Sequence, residues 1–173
     1  MRRLSALVLG ATALIGAGCG YHVAGRADLL PKNVKTIAIP AFGSLTTRFR
    51  LADRLPAALT REFLSRSRYD IVADPNTADA ILTGAVVNYF AYPTVFDQNT
   101  GRAAGVQMIA MLQLRLTDRV SGAVLFDRPA FEARQRYEIS TDQLAYFEEN
   151  SPAMDRMARD VARTVVSAIL ENF

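Results

Sequence analysis

Apolar positions recur along this chain with two different periods, and each change of period marks an element. Val34-Lys35-Thr36-Ile37-Ala38-Ile39 is rich in β-branched residues and is stopped by Pro40, which predicts a strand. Ala41 to Thr47 contains Gly43 and Ser44 and reads as a loop. Leu51, Leu55, Leu59 and Phe63 then return every four residues, the stripe of an amphipathic helix, with Arg50, Arg54, Arg61 and Glu62 largely off it. Pro56 interrupts that stripe. In a helix interior it costs about 3 kcal/mol, so the helix is expected to kink there or to begin just before it. Asp70-Ile71-Val72 reads as a short strand and Asp74-Pro75-Asn76 as a turn. Ala80 to Tyr92 is long, β-branched and aromatic, and apolar on both faces, and Asp97 to Gly101 is a polar loop.

The next segment alternates. Val106, Met108, Ala110, Leu112, Leu114 and Leu116 share one face; Gln107, Gln113, Arg115 and Thr117 share the other with Ile109 and Met111. Asp118 to Gly122 is a hairpin turn into a strand over Ala123 to Tyr137. There the apolar parity changes, from Val124 and Phe126 to Phe131, Ala133 and Tyr137. A period-2 strand changes parity only through an extra residue, which predicts a bulge around Arg128-Pro129. Proline also suits an edge strand. Ser140 with Gln143 has capping-box spacing and predicts a short helix to about Glu149. Ser151 then reads as the N-cap of a last helix, with Pro152 at its first position. Its stripe is Met154, Met157, Ala158, Val161, Val165, Ala168 and Ile169, with i,i+4 pairs Asp155/Arg159 and Arg156/Asp160 on the wet face. The order predicts an α+β fold: a single two-layer sandwich, a mainly antiparallel sheet of about four to five strands with two main helices packed on one face.

Composition changes this picture first at the N-terminus. Arg2 and Arg3 precede fourteen small or apolar residues, Leu4 to Ala17, broken only by Ser5 and Thr12. That run is shorter than the roughly 20 residues a spanning helix needs, and no second apolar stretch reaches that length. Gly16-Ala17-Gly18 supplies the small residues of a cleavage site, so residues 1–18 read as a cleaved signal peptide. The lone cysteine, Cys19, follows directly and has no internal disulfide partner. Ile15-Gly16-Ala17-Gly18-Cys19 resembles the bacterial lipobox, which implies that Cys19 is lipidated, palmitate included, and becomes the first residue. Three acyl chains at about 0.8 kcal/mol per buried CH₂ make such an anchor permanent. Gly20 stands where aspartate would signal inner-membrane retention, which favours the outer membrane, periplasmic side. Residues 19–32 are then a lipidated tether and 33–173 a single domain.

Charge and chemistry mainly exclude. The chain has 20 basic and 17 acidic residues; losing Arg2 and Arg3 leaves 18 against 17, a net of +1, which removes the case for nucleic acid. The single histidine, His22, lies in the tether. Neither a Cys/His metal cluster, nor a phosphate-cradling glycine loop, nor a nucleophile elbow is present, so no metal, cofactor or enzymatic activity is expected. Asp74, Asp79 and Asp97 flank turns, where acids usually cap or face water.

Two surfaces remain. Arg134 and Arg136 alternate along the last strand, Arg115 is a neighbour across the hairpin, and Arg102 lies in the preceding loop. The plain reading is a solvated sheet; the sharper one is a site for an anionic amphiphile, its phosphates on arginines. Ile109 and Met111 break the polar alternation of the outward face, and Tyr89, Phe90, Tyr92 and Phe96 cluster nearby. Such a patch marks a protein-binding surface unless another segment folds over it.

The start Cys19-Gly20-Tyr21-His22-Val23, and Val106-Gln107-Met108-Ile109 after a loop with Asn99 and Gly101, resemble the outer-membrane lipopolysaccharide-assembly lipoproteins (LptE). The resemblance implies a small α+β plug inside an LptD-like outer-membrane β-barrel translocon. It also implies lipopolysaccharide as a partner bound through basic residues. The alternatives are a lipoprotein that activates a cell-wall synthase, or an auxiliary subunit of another lipid transporter.

Overall fold

The computed structural model describes residues 30–46, 50–98, 101–139 and 145–171, with side chains in the last helix described from Ser151 onward. The signal segment, Cys19, His22, most of the tether and the Ser140/Gln143 capping box lie outside the described residues. Six strands and two long helices follow in the order β1 (Thr36–Ala38), β2 (Gly43–Ser44), α1 (Arg50–Arg66), β3 (Asp70–Val72), β4 (Ala80–Phe96), β5 (Ala103–Asp118), β6 (Val124–Glu138) and α2 (Ala145–Glu171).

The sheet order is β3-β1-β4-β5-β6, with β2 also on β4. The long strands β4, β5 and β6 are antiparallel neighbours, as expected. The short strands differ: β1 is parallel to both β3 and β4, and β2 is parallel to β4. The sheet is therefore mixed and six-stranded: its three long strands are antiparallel, as expected, and the short parallel strands are the departure from a four- or five-stranded antiparallel sheet. The cause is α1, which carries the chain back along its own length and so lets β3 re-enter beside β1 in the same direction.

Both helices pack on one face of the sheet. Even-numbered residues of β5 face them: Met108, Ala110, Leu112, Leu114 and Leu116 are buried against the stripe of Leu55, Leu59 and Phe63 and that of Met157, Val161 and Val165. α1 runs through Pro56 instead of beginning at it. Each buried Leu or Phe of its stripe contributes about 1.5–3 kcal/mol, which offsets the proline. The larger correction is at the C-terminus. A single helix passes through Pro152, and Ser151 is inside it, not its N-cap. Ser151 Oγ instead accepts from Arg54 Nη2 of α1 at 2.6 Å. Asp155 meets Arg54 Nε at 2.8 Å, and Asp160 approaches Arg163 at i+3, so neither wet-face i,i+4 pair forms. Arg66 reaches Ser167 and Glu171 farther along, so the two helices lie side by side in the same direction.

Leu30, at the end of the predicted tether, is part of the buried core. Asp79 fixes the start of β1 beside β4: its Oδ2 accepts from the backbone N–H of Lys35 (2.8 Å) and of Thr36 (3.0 Å) and from the Thr36 hydroxyl. Those bonds, Lys35 first, hold the Asp79 carboxyl below its ordinary pKa. Asp118 likewise caps the β5–β6 turn, accepting from Ser121 N and Oγ and Val120 N, which lowers its pKa too. Gly84 has a packing reason: a Cβ there would lie 2.5 Å from the Phe42 ring that covers it.

Candidate interaction face

The predicted bulge in β6 is present. Leu114 pairs with Arg128 and Leu112 with Phe131, so Pro129 and Ala130 together face Gln113. β6 has a single neighbour, β5, so Pro129 sits on a sheet edge, where its missing N–H leaves no ladder bond unmade. A second bulge lies in β4: Val86 pairs with Leu112 and Asn88 with Met111, leaving Val87 extra. This one changes the site. It turns Tyr89 inward to become part of the core, with its hydroxyl on Met108 Sδ at 2.9 Å. Tyr89 therefore does not belong to the outward face on which the sequence put it. Its neighbour Phe90 does, at 50% exposure.

Beyond that bulge β4 is open. Every residue from Phe90 to Phe96 is exposed, including Tyr92 (46%), Val95 and Phe96 (57%). Register then assembles the helix-free face in rows: Asn88–Met111–Glu132, Phe90–Ile109–Arg134 and Tyr92–Gln107–Arg136. Ile109 and Met111 are half-buried. Gln107 Nε2 is tied to the Gln135 carbonyl at 3.1 Å, which fixes β5 to β6 in the last row. Arg134 Nε donates to Glu132, and this hydrogen bond holds the guanidinium pKa above its ordinary value.

The four candidate arginines are not one cluster. Arg134 and Arg136 project from adjacent rows at the open end. Arg115 is six residues along β5 from Ile109, about 20 Å at strand rise. There it grips Asp127 through Nε and Nη2 at 3.2 and 3.1 Å, which raises its pKa. Its surroundings form a cleft of about 360 Å³ with Thr83, Gln113 and Pro129. Arg102 lies in the β4–β5 loop, where its carbonyl accepts from Asp97 N at 2.8 Å. The three acids do not meet either. Asp74 caps a 3₁₀ turn over Pro75–Thr77 and Asp79 holds β1. Asp97 is a β4 length away, roughly 50 Å. Among the described residues, no group of three His, Cys, Asp or Glu is placed to hold a metal ion.

The fold is shared with solved proteins of low sequence identity. Residues 34–169 match the model of the LptE, lipopolysaccharide-assembly, family. The uncharacterized lipoprotein B of Nitrosomonas europaea is similar with a TM-score of 0.58 at 15% identity, over 88% of this chain and 92% of that one. The rare lipoprotein B of Shewanella oneidensis gives 0.51 at 16%, over 79% and 95%. The PelC dodecamer of Paraburkholderia phytofirmans gives 0.52 at 15%, over 79% and 88%.

Proposed function

This chain belongs to the LptE lipopolysaccharide-assembly family, and from that premise we propose that it is an outer-membrane lipoprotein seated in an LptD-like β-barrel translocon. Cys19 carries the anchor on the periplasmic side, and the helix-free sheet face meets the barrel. The observation that carries the reading is the open end of β4: Phe90, Tyr92 and Phe96 exposed, beside Ile109, Met111, Arg134 and Arg136. A solvent-facing antiparallel face normally turns polar at alternate residues. An apolar strip flanked by arginine fits a protein interface, whose cores favour aromatics, methionine and arginine. The same two arginines suit the phosphates of lipopolysaccharide, since guanidinium binds such groups through paired charge-assisted bonds. Arg115, gripped by Asp127 and far along the strand, contributes less to that site.

Purification of tagged full chain through detergent tests the partner. Wild type is expected to bring down a barrel-sized outer-membrane protein, and Tyr92→Asp with Met111→Arg to lose it while staying folded. Retention of the barrel by the folded double variant places the interface elsewhere; recovery of an inner-membrane enzyme instead overturns the barrel reading. In the same preparations, Arg134→Ala with Arg136→Ala is expected to weaken lipopolysaccharide binding more than tenfold, and equal binding leaves these arginines as solvated charges. Uptake of labelled palmitate by wild type but not by Cys19→Ala tests the anchor.

A further inference from the structure

The sandwich is open along its β6 flank, where an edge strand meets α2 and, among the described residues, no further strand pairs. Between the two runs a groove of about 520 Å³, within the roughly 300–1,000 Å³ of small-molecule sites. Phe126 and Phe131 of β6 and Val165 and Ala168 of α2 wall it, and the exposed Arg128 and Arg163 line it together with two hydroxyl residues of α2.

Arg128 is out of place in an ordinary sheet. It pairs in register with Leu114, whose side chain is buried under the helices, so it projects from the core side of its strand. The Pro129–Ala130 bulge puts it there, by switching which residues of β6 face inward. Its guanidinium lies 5.3 Å from the centre of the Phe126 ring, at cation–π distance over the groove wall. An inward charge on an edge strand also guards against edge-to-edge pairing. That role accounts for Arg128 alone. It requires neither an apolar trough nor a second arginine across it on α2, and Arg163 reaches Asp160 only at 3.7 Å with both side chains largely exposed.

We infer that this groove binds the single alkyl chain of an amphiphile with an anionic head, the chain along Phe126, Phe131, Val165 and Ala168 and the head against Arg128 and Arg163. Apolar walls supply non-directional binding, and the two cations select the sign of the head. The groove is on the opposite side of the sheet from the interaction face, so it stands independently of the barrel reading.

The test uses the purified full chain in nanodiscs of zwitterionic phospholipid, with a diazirine-bearing dodecanoate as probe and mass spectrometry to locate the crosslinks. Crosslinks are expected on the segments 126–131 and 163–168, and the matching dodecanol probe is expected to label them at least fivefold less. Ala168→Phe fills the trough while leaving both arginines, and Arg128→Gln with Arg163→Gln removes the cations while leaving the trough. Each is expected to cut labelling at least fivefold. Labelling scattered over the surface, equal labelling by the alcohol, or unchanged labelling in the folded Ala168→Phe chain overturns the proposal.

Discussion

Met111 and Leu112 are neighbours on β5, close in size and hydrophobicity, and they sit in different worlds. Leu112 is fully buried under the helices, and Met111 lies half-buried on the face that no helix covers. The same contrast holds along β4, where Tyr89 is in the core and Phe90 is half exposed. One side of the sheet is apolar because the fold needs it. The other is apolar without any described element to cover it, and residues of that kind usually answer to a partner. Hydrophobicity alone does not separate the two roles; the coverage by α1 and α2 does.

The largest effect expected from that difference is at the centre of the covered side. Val161 is buried mid-stripe on α2, so Val161→Asp places an unpaired carboxylate against the sheet at a cost of several kcal/mol. Thermal or denaturant unfolding should show a midpoint far below that of wild type. An unchanged midpoint would mean that α2 turns another face to the sheet.

The neighbouring pair gives the sharper test. Leu112→Ala leaves a cavity in a packed core and should cost about 2–5 kcal/mol. Met111→Ala, on the open face, should cost well under half of that. Equal losses measured by denaturant unfolding would show that the helix-free face is packed as tightly as the other.

A smaller effect belongs to the latch that joins β1 to β4. Because Asp79 titrates below its ordinary value of 3.8 in the folded chain, its carboxylate stabilises the fold above that value, and the contribution is lost as pH falls through the lowered folded pKa. Asp79→Asn should therefore be less stable than wild type near neutral pH, and the gap should close as the solution is acidified. A gap that widens in acid would mean that Asp79 does not stabilise the fold as a carboxylate.

How much of this was legible before the fold was known depends on what each segment's pattern had to contrast. The inward set of β5 and the bulge at Pro129 were readable because apolar and polar residues alternate there, so a change of parity leaves a mark. The bulge at Val87 left none, since β4 is apolar on both faces, and Tyr89 was consequently assigned to the wrong side, while Tyr92, Ile109 and Met111 lie on the outward one by register. The parallel pairing of β1 and β3 was hidden because strands of three residues are too short to carry a period. Ser151-Pro152 is a sound local start signal, and it yielded to a partner that local sequence could not announce: Arg54, 97 residues earlier, donates to the serine oxygen. The separation of Arg115 from Arg134 follows from register, which side-chain type does not encode.

The smallest expected effect on stability is the one that decides what the open face is for. Phe90→Ser and Tyr92→Ser remove large apolar side chains that are half exposed already, and neither is among the residues that form the core. Surface changes of this kind usually stay within about 0.5 kcal/mol, which for a domain of this size moves the melting temperature by no more than about 2 °C. The isolated chain should therefore melt almost as wild type does. If these aromatics serve a partner, the same two substitutions should lower recovery of that partner severalfold, because truncated interface aromatics commonly cost more than 1 kcal/mol of binding. A drop in melting temperature comparable to that of Leu112→Ala would instead place Phe90 and Tyr92 under a further segment of the chain itself, and the open face would then be an internal one.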